Sequence, residues 1–166
     1  MSGSDRGVFK VVNWPAKNYH KRRQMPRVIV LHHTGGSGNV ENEVQYLADN
    51  KPGVSVHVVI AKDGTRYRMV NDEHVAYHCG YSKVGSLGRP NEVSLGIELI
   101  NTGNKKELDP WPNEQIVSCV EQVYEWTQKY EIEMITSHAG IDTMGKYDPY
   151  KFPWQLFYRL LGESEA

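Results

Sequence analysis

Long apolar runs are missing from this sequence. No stretch approaches the ~20 consecutive apolar residues of a membrane-spanning helix, so no membrane insertion is expected. Cysteine is scarce: Cys79 and Cys119 are the only two, and neither belongs to a C-x-x-C pair. No zinc ribbon or dithiol redox motif is therefore present, and nothing requires a disulfide. An excess of charge of either sign is absent too. The net charge is −1 and the isoelectric point about 6.7, which argues against a nucleic-acid binder. Internal repeats and low-complexity linkers are lacking. The first residues, Met1 to Gly7, are small and polar and carry no apolar core of a signal peptide. That predicts synthesis and folding in a cytosol, with the place of action a separate question.

What is there fits one globular domain. The chain has 166 residues, 39% apolar and 23% charged, which is enough for a real core and too apolar for disorder. Residues up to about Arg27 hold Trp14-Pro15 and read as an irregular arm. Its basic cluster, Lys17, His20, Lys21, Arg22, Arg23 and Arg27, reads as a solvated entry loop; the alternative is a contact for an anionic polymer. Arg27 to His33 reads as a strand buried on both faces. Ser37 or Asn39 can cap a helix that runs to about Asn50, with Val40, Val44, Leu47 and Ala48 at helical spacing and Pro52-Gly53 beyond its end. Val54 to Ile60 reads as a strand. Asp63-Gly64 marks a tight turn, and Thr65 to Val70 returns as the hairpin partner. Asn71 to Asn91 reads as loop.

Val93 to Ile100 is a second buried strand. Asn113 to Tyr130 is the strongest helix, with Ile116, Val117, Val120, Val123, Tyr124 and Thr127 in one stripe. Met134 to Thr136 is a short strand that delivers His138, and Pro153 opens a last helix. Strands mixed with helices, plus a hairpin, predict a single α/β domain with a central mixed β-sheet flanked by helices. Cys119 falls inside the helical pattern as a small core residue.

The chemistry gathers at strand ends. His32 and His33 follow four apolar residues and precede glycines, where a rigid scaffold meets solvent. His138 arrives at another strand end, and Asp148 follows in Gly145-Lys146-Tyr147-Asp148-Pro149. Two imidazoles and a carboxylate make a common zinc set with an open fourth position. Read alone, His138 and Asp148 are equally well polar groups of a loop. Glu98 adds weight. It interrupts an apolar strand, where an unpaired carboxylate needs a partner or a task. Burial would raise its pKa toward that of a general base; the alternative is a carboxylate satisfied by a backbone donor or a lysine. By strand alternation His33 faces away from His32 as a packing or supporting residue. His57, among β-branched residues, satisfies a hydrogen bond or stands behind the metal. His78 is open between groove contact and loop structure. His20 and His74 read as solvent-facing.

Several short motifs occur in a telling order. They are Val28-Ile29-Val30-Leu31-His32-His33-Thr34, Val54-Ser55-Val56-His57 before Lys62-Asp63-Gly64-Thr65, Ala76-Tyr77-His78-Cys79-Gly80, Ser94-Leu95-Gly96-Ile97-Glu98-Leu99, and Ser137-His138 before Lys146-Tyr147-Asp148-Pro149. In that order they resemble the zinc-dependent N-acetylmuramoyl-L-alanine amidases of the amidase-2 type, a group that includes T7 lysozyme-like phage amidases and peptidoglycan recognition proteins. The resemblance runs over roughly residues 26 to 158. It implies an amidase-2 fold, with residues 1–26 as an arm packed on the domain, 27–162 as the catalytic domain and 163–166 as a tail.

The resemblance also implies roles. One zinc ion per chain would be held by His32, His138 and Asp148. Many relatives carry Cys at the last of these positions, whereas bacterial muropeptide amidases carry Asp. Glu98 matches the catalytic glutamate of several members, and Lys146 a lysine that steadies the oxyanion. Some relatives have a catalytic tyrosine just before the histidine of the second strand. Here that residue is Val56, so the base role falls on Glu98. His57, Tyr77 and His78 are the groove candidates. The implied reaction is hydrolysis of the amide between the lactyl group of N-acetylmuramic acid and L-alanine. Bacterial peptidoglycan would be the substrate and the enzyme a monomer. The expected setting is a phage endolysin, made in the cytoplasm and let out by a separate lysis factor. The alternatives are a cytosolic muropeptide-recycling amidase and a non-catalytic peptidoglycan-binding module.

Overall fold

The computed structural model describes residues 9–166; the segment Met1 to Gly7, read above for a leader, lies outside the described residues. A six-stranded sheet has the order β1-β5-β4-β7-β3-β8. Its members are β1 (Val11–Asn13), β3 (Val28–His33), β4 (Val58–Ile60), β5 (Arg66–Arg68), β7 (Ser94–Leu99) and β8 (Met134–Ser137). All neighbours run parallel except the hairpin pair β4 and β5. The mixed α/β sheet expected from the sequence is thus the architecture found.

The register sorts the two faces of the sheet. Val28, Val30 and His32 on β3 stand beside Ser94, Gly96 and Glu98 on β7. Side chains alternate along a strand, so these six residues share one face. Ile29, Leu31, Leu95, Ile97 and Leu99 take the other face. There they pack against α3 (Asn113–Lys129) and α5 (Trp154–Glu165), through Ile116, Val120, Val123, Trp126, Phe157 and Leu161. The helical layer therefore seals one side and leaves the His32–Glu98 side open for chemistry. Helix α1 (Val40–Ala48) covers part of that second side with Val44, Leu47 and Ala48.

The helix starts follow local chemistry. Of the two candidate caps, Asn39 is the one used: its side chain accepts from the Asn42 N–H at 3.0 Å. Ser37 in turn accepts from the Asn39 N–H. Gly64 closes the β4–β5 turn at φ +89, and a Cβ there would strike Phe9 and approach the Glu114 carbonyl. Only glycine fits both the dihedral and the space. Cys119 is a buried core residue, and both cysteines are free.

Five sequence expectations need correction. The arm is not irregular throughout: β1 extends the sheet as an edge strand, and β2 (His20–Lys21) pairs antiparallel with β6 (His74–Val75). Only Val58–Ile60 of the expected 54–60 strand joins the sheet. Before it, Ser55 bonds the Tyr77 backbone instead, in both directions. The 71–91 loop contains β6, a 3-10 turn at Gly85–Leu87 and the short helix α2 (Pro90–Val93). On α3 the buried stripe is rotated from the expected one, because Cys119 and Trp126 are buried while Val117, Tyr124 and Thr127 are only partly so. Polar residues share the stripe: Gln115 donates to the Ile60 and Ile100 carbonyls and Ser118 to Gly64. The Ile100 carbonyl lies just past the end of β7 and that of Gly64 in the β4–β5 turn, and a buried acceptor needs a donor; the Ile60 carbonyl takes Gln115 in addition to the Ile100 N–H. Finally, the 163–166 tail belongs mostly to α5, which runs to Glu165.

Candidate metal centre and catalytic cleft

Three residues remote in sequence meet at the open face. His32 ends β3, His138 begins α4 (His138–Ile141) directly after β8, and Asp148 returns on the following loop. Asp148 Oδ2 lies 3.1 Å from His32 Nδ1 and 3.2 Å from His138 Nδ1. One ligand atom from each residue falls within 4.8 Å of the others, and all three residues are buried.

The remaining ring nitrogens settle the proton inventory. His138 Nε2 sits 2.9 Å from the Cys79 carbonyl, which can only accept, so Nε2 carries a hydrogen. In a neutral ring Nδ1 is then a lone pair facing the Asp148 carboxylate. Two acceptors at 3.2 Å repel unless a proton or a cation lies between them. A divalent ion meets that need, and an N,N,O donor set suits zinc. His32 Nε2 is tied to His78 Nδ1 at 2.9 Å, and His78 Nε2 to Ser94 Oγ at 3.0 Å. Both candidate ligand rings are therefore oriented by a partner on the far nitrogen, as metal-binding imidazoles usually are.

The electrostatics agree. A proton can fill the same gap as an ion: burial works against the charged form of Asp148, but hydrogen bonds from rings of His138 and His32 that carry a hydrogen on Nδ1 hold its carboxyl below the usual range. Burial pulls His138 down, and Asp148 more than offsets it, so the ring is pushed up. Burial wins at His32, and at His78 it drives the ring well down with help from the neighbouring imidazoles.

Glu98 stands next to His32 in register on β7. Its Oε2 is buried without a hydrogen-bond partner. Burial first, then Asp148 and Glu43, push its pKa well above the ordinary value, while Lys146 opposes them. Glu43 on α1 was missed by sequence reasoning. Both its carboxylate oxygens are buried without a partner, yet on the helix pattern it looks like a solvated first-turn acid. Lys146 is exposed at the rim of the cleft, and Asp142 fixes its loop by accepting the Met144 and Lys146 backbone N–H groups. The cleft measures about 590 Å³, and its walls include His32, His138, Asp148, Glu98, Lys146 and Tyr77.

The other candidates divide. His78 lines the cleft, although its ring is nearly enclosed. It packs so tightly on Gly96 that a Cβ there would lie 2.6 Å from His78 Nδ1. His57 does not reach the cleft, which corrects the groove expectation. Its side chain is fully buried, accepting the Gly96 N–H at Nδ1 and bonding the His74 carbonyl at Nε2. Satisfying those two backbone groups is what holds it inside. His33, like His78, borders the cleft, with its ring edge-on to Tyr147 and its Nδ1 accepting the Tyr150 N–H. The basic arm is not simply solvated either, because the half-buried Arg22 donates to the carbonyls of Asp72, Glu92, His74 and Ser94.

With this geometry in place, the comparisons with known proteins are direct. Residues 21–151 match the N-acetylmuramoyl-L-alanine amidase family, Amidase_2. The chain belongs to that family. AmiD, an N-acetylmuramoyl-L-alanine amidase of Escherichia coli K12, is 29% identical over 144 residues, 78% of this chain and 51% of AmiD. AmpD of Enterobacter cloacae, a 1,6-anhydro-N-acetylmuramyl-L-alanine amidase, is 29% identical over 125 residues, 74% of this chain and 62% of AmpD. This amidase-family chain thus spans about half the length of AmiD and about three fifths of AmpD. A crystal structure of an AmpD superposes with a TM-score of 0.74 at 23% identity, over 97% of this chain and 99% of that one. AmiD bound to anhydro-N-acetylmuramic acid-L-Ala-D-γ-Glu-L-Lys gives 0.74 at 26% identity, over 82% of this chain and 58% of AmiD.

Proposed function

We propose that this chain is a zinc-dependent amidase that hydrolyses the bond between the lactyl group of N-acetylmuramic acid and L-alanine. The observation that carries the reading is the buried convergence of His32, His138 and Asp148 beside a carboxylate, Glu98, whose Oε2 has no partner. Zinc at His32, His138 and Asp148 would supply Lewis acidity, acidifying water and polarising the scissile carbonyl. Glu98 Oε2 takes a proton from the attacking water and returns it to the leaving nitrogen of L-alanine. Burial keeps that carboxylate basic enough for the task. The Lys146 ammonium at the rim meets the charge that develops on the carbonyl oxygen, and one such donor is typically worth about 3 kcal/mol. His78 and the Cys79 carbonyl hold the two imidazoles in orientation.

In the role we favour from the sequence, the protein acts as a monomeric phage endolysin on the bacterial wall. A second reading, muropeptide recycling, is favoured by the two relatives, one named for anhydro-muramyl substrates and the other crystallised with one. Purified sacculi and a soluble anhydro-muramyl tripeptide, each with and without a chelator, test both. New N-terminal L-alanine from sacculi supports lysis, and product from the soluble peptide alone supports recycling. Binding of either substrate with no product from the zinc-loaded protein would leave a binding module and sink the amidase.

A further inference from the structure

A hydrogen-bonded chain runs from the protein surface into the wall of the cleft. Glu92 Oε1 lies 3.0 Å from His20 Nε2, and His20 Nδ1 lies 2.7 Å from the Tyr77 hydroxyl. Tyr77 is a wall residue of the cleft. The three come from separate elements: β2, α2 and the segment after β6. Arg22 locks them together, since its guanidinium spans the carbonyls of Glu92, His74 and Ser94. The β2–β6 pairing, with His20 opposite Val75, fixes the arm over the same segment.

Counting hydrogens along this chain gives it a direction. An ionised Glu92 only accepts, so His20 Nε2 carries the hydrogen and, in the neutral ring, Nδ1 is a lone pair. Tyr77 must then give its single hydroxyl hydrogen to His20. What remains on the phenolic oxygen is acceptor capacity alone. We propose that Tyr77 is a substrate-binding residue, set by His20 and Glu92 to accept a hydrogen bond from an N–H or O–H of the bound muramyl peptide. In this scheme His20 and Glu92 are positioning residues: they touch no substrate and act by holding the hydroxyl hydrogen out of the cleft. The inference rests on the amidase reading and names one contact by which that site would hold its substrate.

The test is steady-state kinetics of the zinc-loaded protein on N-acetylmuramyl-L-Ala-D-γ-Glu-L-Lys. Tyr77→Phe should raise KM about fivefold, the range of one neutral hydrogen bond, with kcat within twofold of wild type. His20→Ala should raise KM by a similar or smaller factor and add nothing in the Tyr77→Phe background, because both remove the same contact. His20→Gln, which can accept from Tyr77 and donate to Glu92, should keep KM near wild type. Thermal melts of each variant separate these effects from loss of folding. Repeating the series on N-acetylmuramyl-L-Ala locates the donor. A retained KM effect places it on the sugar or the first residue, and a lost one places it further along the peptide; either supports the contact. Unchanged KM in Tyr77→Phe, or additive effects of His20→Ala and Tyr77→Phe, would overturn the inference while leaving the amidase standing. No turnover by the wild type would remove both.

Discussion

At Glu98 the environment decides the chemistry. A carboxylate with a buried, unpartnered oxygen beside a ligand cluster is costly to keep ionised, and that cost makes it an effective proton acceptor. Glu98→Gln preserves the shape and removes the proton exchange. Turnover should fall about 10²- to 10⁴-fold while zinc content stays at one per chain, read by metal analysis beside a product assay. Near-normal turnover would take Glu98 out of the mechanism. His57 makes an opposite use of burial. Its ring is held down to about 4 from 6.5, chiefly by desolvation. The unfolded chain therefore takes up a proton at 6.5 that the folded one refuses until about 4. The stability from the neutral ring is complete above the unfolded value and drains away as pH falls through this window, at up to about 1.4 kcal/mol per pH unit. His57→Asn keeps an acceptor for the Gly96 N–H but cannot titrate. Its melting temperature should lie below that of wild type at pH 7 and fall less steeply from pH 7 to pH 5. A slope equal to that of wild type would assign the acid sensitivity to other groups. His32 and Glu98 stand out as candidates in the sequence, because a histidine at the end of an apolar strand or a glutamate inside one is locally anomalous. Their surroundings were not legible: Glu43, whose charge acts on Glu98, and His20, bonded to Tyr77, are ordinary surface residues until the chain folds.

At the scale of elements, α1 rests on a short local signal. Asn39 accepts from the Asn42 N–H, and Asn39→Ala should cost about 1 kcal/mol. A fall of several degrees in the melting temperature is expected, and no change at all would mean that packing of Val44 and Leu47 alone holds the helix. Elements with strong periodicity or clear caps were legible almost to the residue, as β3, β7, α3 and α1 were. The edge strand β1 and the β2–β6 ribbon were not. Strands of two or three residues have too few positions to show alternation, and their pairing depends on which backbone groups the rest of the fold leaves open. The rotated stripe of α3 has the same origin. Gln115 and Ser118 are buried because they donate to backbone carbonyls just past β7 and in the β4–β5 turn, a demand invisible within the helix.

At the scale of the whole molecule, the ligand cluster joins β3, α4 and the loop that follows it. Ion binding should therefore stabilise the native state as a unit. Chelation should lower the melting temperature and abolish amide hydrolysis, and added zinc should restore both. At free zinc near 100 times Kd the stabilisation is about 2.7 kcal/mol. A melting temperature indifferent to chelator and zinc would argue that the cluster binds no ion. The sequence by itself determined the sheet's buried strands and the main helices, since these follow from neighbours a few residues apart; His138 and Asp148 became candidate ligands only through the order of motifs along the whole chain. Only the tertiary structure decided who faces whom. The hydrogen bond between His32 and His78 spans 46 residues and that between Tyr77 and His20 spans 57. A hydrogen bond is chosen by proximity in space, and that proximity exists only once the strands have fallen into register.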